Sequence, residues 1–146
     1  MKTGDVICLL SLGSVIGIGA AFDLRTKKIP VILLVLGTVG LIAGALMPGS
    51  LAFRDRLIGM IPGFFLLAAG LLWHMVGTGD SVLILLSGFG LGVRAMSFFL
   101  TVSLMCLLPA ALFLIVTGRR GRKDTLPFFP FAAVGLIVTL LLGVVP

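Results

Sequence analysis

The sequence predicts an all-α, polytopic integral membrane bundle of about six transmembrane helices, the fourth of them short, forming one domain over residues 1–146. Composition is the first observation: 60% of the 146 residues are hydrophobic and mean hydropathy is +1.32. A soluble domain of this length cannot bury that much apolar surface, so lipid is the solvent for most of the chain. The second is the scarcity of acids, which are Asp5, Asp23, Asp55, Asp80 and Asp124, with no Glu. The third is the placing of the bases, which cluster between apolar runs. The net charge of +6 therefore reports topology through the loops. It does not call for a nucleic-acid partner.

In order along the chain, Val6–Phe22 is apolar and nearly long enough to cross a hydrocarbon core of about 30 Å at about 1.5 Å per residue. Lys2 before it and small residues after it resemble a signal peptide, but Asp5 spoils a basic leader. Gly13 and Gly17 form a GxxxG suited to helix packing. Arg25, Lys27 and Lys28 follow, then Ile29-Pro30, with proline placed to open the next helix. Val31–Met47 is the second span, with a GxxxG at Gly40 and Gly44. Pro48-Gly49-Ser50 ends it, and Arg54, Asp55 and Arg56 are expected in a short loop. Leu57–Val76 is the third span, carrying a GxxxG at Gly59 and Gly63, Trp73 as an interfacial anchor and His74 as a polar interfacial residue.

Ser81–Val93 is short and weakened by Gly88, Gly90 and Gly92. Arg94 and the long run Ala95–Thr117 follow. Counting these as two spans puts Arg25/Lys27/Lys28, the turn at Gly77–Asp80 and Arg119/Arg120/Arg122/Lys123 on one face, the cytoplasmic one by the positive-inside rule. Counting them as one span scatters the bases. Six spans place both termini outside, the last span running from about Leu126 to Val145. Cys8 and Cys106 sit inside apolar runs without CxxC or Cys/His spacing. They read as small buried hydrophobes, with no disulfide or zinc site and no metal or cofactor expected.

Chemistry concentrates in two acids. Asp, Lys or Arg costs roughly 2.5–3.5 kcal/mol at the centre of a spanning helix and less near its ends. Asp80 follows Gly77-Thr78-Gly79, where glycines permit close backbone approach. Asp23 ends the first apolar run. On the six-span topology both acids share one membrane depth at the cytoplasmic boundary. Two close carboxylates are not both ionised cheaply, so one keeps a proton while its partner accepts one from water. Peptide hydrolysis needs that division, a base to activate water and an acid to protonate the carbonyl oxygen or leaving amine. A small transporter or proton relay also places paired acids in a bundle, but nearer mid-membrane and with broken helices in matching halves.

Asp23 with Lys28-Ile29-Pro30, then Gly77-Thr78-Gly79-Asp80, then Pro127-Phe128-Phe129-Pro130-Phe131, taken in order and spacing, resemble the type IV prepilin peptidases, GxGD-type membrane aspartyl proteases. The resemblance implies that Asp23 and Asp80 are the catalytic pair. It makes Gly77, Thr78, Gly79, Lys28, Ile29, Pro30, Pro127, Phe128 and Pro130 the motif residues around them. It also implies cleavage of pilin-like precursors on the cytoplasmic side of a prokaryotic inner membrane, after a glycine that ends a basic leader. The sequence departs from the family at Val31, where an asparagine is usual, at Val82, where a lysine is frequent, and at Phe129, where a glycine is usual. An inactive member acting as a scaffold in a pilus or secretion apparatus would tolerate such changes. The amino-terminal segment with paired CxxC motifs is not in the sequence, so the resemblance is to the minimal, peptidase-only form of tight-adherence or Flp-type pili. Methylation of the product is not expected.

Overall fold

A computed structural model describes residues 2–26, 30–73, 77–117 and 128–145. They form α1 (Thr3–Thr26), α2 (Val31–Ala45), α3 (Phe53–Gly59), α4 (Ile61–Trp73), α5 (Thr78–Val116) and α6 (Phe129–Leu141), with no strand among the described residues. Thr3–Thr26, Phe53–Leu72 and Thr78–Leu114 are each long and apolar enough to cross a membrane, and Val31–Ala45 and Phe129–Leu141 are shorter apolar helices. Large apolar side chains stand exposed around the bundle, among them Val31, Leu36, Phe65, Leu72, Met105 and Leu141. Water would not tolerate such a surface and lipid does. The chain is a membrane protein.

Each boundary has a local cause. Pro30 opens α2 in an extended conformation, its fixed φ suiting a helix entry. Gly49, at φ 81°, turns the chain after α2 where a side chain would be strained. Pro62 has no N–H to give to Ile58, so α3 and α4 part at Met60 although together they form one apolar stretch. Arg54, Asp55 and Arg56, expected in a loop, lie in α3, and Arg56 is fully buried.

α5 is broken at Gly92, whose φ of 71° and ψ of 174° are not helical. Contacts on its two sides run in opposite senses. Before the break, a Cβ on Gly63 would meet Leu85, and one on Gly90 would meet Leu12 and Leu41. After it, Phe99 and Ser103 face Gly135, and residues 92–95 share a cavity with Gly143–Val145. α6 itself runs against α1, with Phe129 on Gly19 and Leu136 beside Gly13. The first limb of α5 thus leads from the Asp23 end of the bundle to the Asp5 end, and the second limb returns. The expected break after Val93 occurs one residue earlier, because glycine alone takes this backbone without strain.

Small residues set the close approaches, though not all those expected. Gly40 and Gly44 press on Ser11 and Cys8 of α1, and Gly59 and Gly63 press on the first limb of α5. Gly17 faces nothing within 4 Å and Gly13 only touches Leu136, whereas Gly4 and Gly19 are the tight positions of α1. The core they admit includes Leu12, Val15, Ile16, Leu41, Met96 and Phe99, each 1% exposed or less.

Candidate functional site

At one end of the bundle α1 terminates, while α5 and α6 begin. Asp23, in the last turn of α1, is 7% exposed. Its Oδ2 accepts a hydrogen bond from the backbone N–H of Phe129 at 3.3 Å. That N–H belongs to the first turn of α6, where the helix has no partner of its own for it. The sequence explains the vacancy. Pro130 stands next in line with no N–H to offer, and the amides of Phe131 and Ala132 already bond the carbonyl of Phe128. The ring of Phe129 is fully buried against Gly19, which fixes the amide over the carboxylate. Phe128 and Phe129 therefore work through packing and main chain, and Phe129 fills a role that the motif alone did not disclose.

Asp80 lies in the first turn of α5. The chain enters through Gly77, whose carbonyl accepts from the Ser81 amide at 3.1 Å and the Ser81 hydroxyl at 3.2 Å. A Cβ on Gly77 would stand 3.3 Å from Asp80 Oδ2, so the carboxylate leans back over bare main chain. Gly77 and Thr78 are exposed, and Gly79 and Asp80 are half-buried. Asp23 and Asp80 are near enough for their charges to interact. Two acids far apart in sequence thus share one end of the bundle, Asp23 buried and Asp80 half-buried. Pro30, half-buried, begins α2 close to the end of α1. Lys28, Ile29, Pro127, His74, Asp124 and the bases at 119–123 lie outside the described residues.

The opposite end holds a second polar cluster. Arg56 Nη2 donates to Asp5 Oδ1 at 3.0 Å, and the Leu51 amide donates to the same oxygen at 2.9 Å. Arg56 Nη1 donates to the carbonyl of Phe89 at 2.9 Å and to Cys8 Sγ at 3.4 Å, and the guanidinium lies 5.6 Å from the Phe89 ring centroid. This cluster is a brace between α1, α3 and the first limb of α5. Asp5 is 3% exposed and Arg56 wholly buried, so each charge is answered inside the bundle and not by solvent. Cys8 is buried as expected, Cys106 is only partly buried, and both are free thiols. No group of His, Cys, Asp and Glu among the described residues is arranged to hold a metal ion.

Comparison with known proteins adds one relative. The chain is 34% identical over 134 residues to the prepilin leader peptidase/N-methyltransferase of Bacillus subtilis (strain 168), an alignment covering 89% of this chain and 53% of the relative. The chain thus spans about half the length of the curated relative it matches. No family model matches the chain. No solved structure matches it.

Proposed function

We propose that this chain is an aspartyl endopeptidase of the prepilin peptidase family, with Asp23 and Asp80 as the catalytic pair. The observation that carries the proposal is the meeting of these two acids at one end of the bundle, one buried and one half-open, in a chain similar to a protein named for prepilin leader cleavage. One carboxyl group of the pair takes a proton from water as the other gives one to the peptide carbonyl oxygen or the leaving amine. The Phe129 amide holds Asp23 in one orientation, which keeps the pair aligned through the proton transfers. Exposed Gly77 and Thr78 leave room for an extended peptide beside Asp80.

The substrate is a pilin-like precursor whose basic leader is removed after a glycine. Its site of cleavage is the cytoplasmic boundary of a prokaryotic inner membrane, which six spans cross with both termini outside. No cofactor takes part, and the lipid bilayer is the working environment. Incubating the purified protein in detergent with a prepilin of this type, and weighing the product by mass spectrometry, tests the reading. A product shortened by the leader with the parent protein, and none with Asp80→Asn, is the expected result. An intact precursor with the parent protein overturns it.

A further inference from the structure

At the Asp5 end a cavity of about 710 Å³ opens between α3, the turn at Gly92 and the segment after α6. That volume is within the range of about 300–1,000 Å³ that small-ligand sites occupy. Its walls carry two opposite charges, Asp55 and Arg94, among apolar side chains that include Leu51, Leu91, Phe98 and Val144. Neither charged side chain has a hydrogen bond or ion pair among the described residues. One residue beyond Asp55, Arg56 is fully paired. The protein therefore satisfies the inner charges of this end and leaves one anion and one cation facing the same space.

We propose that this cavity binds a phosphoethanolamine head group carried by a membrane lipid, Arg94 taking the phosphate and Asp55 the ammonium. A ligand that answers both charges must itself carry both. Guanidinium pairs well with phosphate oxygens, and a carboxylate accepts hydrogen bonds from a primary ammonium. The quaternary ammonium of a choline lipid has no such hydrogens, and a glycerol head group leaves Asp55 unanswered beside a phosphate. The apolar walls favour a lipid over a soluble ester. From the cavity, Phe98, Met105 and Leu112 form an exposed stripe at seven-residue spacing down the second limb of α5, one face of a helix along which an acyl chain can lie.

The test is native mass spectrometry of the purified full chain with equal amounts of phosphatidylethanolamine, phosphatidylcholine and phosphatidylglycerol of identical acyl chains. The ethanolamine lipid is expected to be retained about fivefold to tenfold over either competitor, the discrimination of one charge-assisted contact. Asp55→Asn should erase that preference while binding continues, and Arg94→Gln should weaken retention of all three lipids. Far-UV circular dichroism identical to the parent shows that both variants remain folded. Glycerophosphoethanolamine at millimolar concentration should not displace the lipid. Equal retention of the three lipids, or an undiminished preference in Asp55→Asn, overturns the proposal. Displacement by glycerophosphoethanolamine overturns the lipid assignment in favour of a soluble ester.

Discussion

Replacing Arg56 by Met keeps much of the volume of the side chain and removes its charge. Asp5 is then left buried with the Leu51 amide as its one donor among the described residues, and the carbonyls of Phe89 and Gly90 lose the guanidinium. Removing one partner of a buried ion pair costs about 3–5 kcal/mol in soluble proteins, because the other charge stays behind. Hydrogen bonds between membrane helices are worth less, about 0.6 kcal/mol on average, since the unfolded chain in lipid also finds partners. The structure therefore predicts a loss of about 3 kcal/mol for Arg56→Met, the lower end of the range for a broken buried pair. Asp5→Asn should also destabilise, whereas Asp55→Asn, with no partner to lose among the described residues, should stay within about 0.5 kcal/mol of the parent. The double variant Asp5→Asn/Arg56→Met holds no buried charge at this place and should recover at least about 1 kcal/mol relative to the sum of the singles. Unfolding by dodecyl sulfate in mixed micelles, followed by circular dichroism, measures all four. Additive losses in the double variant, or an Arg56→Met midpoint equal to the parent's, would show that the brace contributes nothing beyond its packing.

Asp23→Asn and Asp80→Asn should each lower prepilin cleavage by about 10²–10⁴-fold, the contribution of a positioned acid or base, with folding unchanged by circular dichroism. Full activity in either variant removes that residue from the pair. Gly19→Ala drives a methyl group into the Phe129 ring and should cost about 1–3 kcal/mol by overpacking. Cleavage should fall with it, because the Phe129 amide moves relative to Asp23. Gly17→Ala meets open space and should leave both the unfolding midpoint and the cleavage rate at parental values. Ser87 carries a buried hydroxyl with no partner among the described residues, so Ser87→Ala should match the parent or gain up to about 1 kcal/mol in the same unfolding assay.

The sequence disclosed an all-helical membrane fold because long apolar runs are a one-dimensional signal. The break near Arg94 and the placing of Asp23 and Asp80 at one end follow from where charge and glycine interrupt hydrophobicity. The brace was not legible, because Asp5 and Arg56 are 51 residues apart in sequence and each looks ordinary in its own segment. Arg56 was read as a loop base since an arginine inside lipid is costly, and only its pairing across helices removes that cost. Phe129 was hidden for a different reason. The atom that meets Asp23 is a main-chain N–H, which any residue but proline supplies, and the legible signal was Pro130 beside it. The GxxxG at Gly13 and Gly17 shows the limit of such spacings, since they name a small-residue face without saying whether another helix is against it.

The hydrogen bond from Phe129 to Asp23 joins positions 106 residues apart, and this separation is also an interval of time. At synthesis rates of about 5–20 residues per second, Phe129 leaves the ribosome about 5–20 s after Asp23. Asp5 waits half as long for Arg56, 51 residues behind it. The nascent first helix is therefore anchored at its Asp5 end while its other carboxylate is still without its amide. Asp23 is seated when the last helix arrives, so an incomplete chain in the membrane lacks an aligned pair and a finished one acquires it in the closing step of assembly.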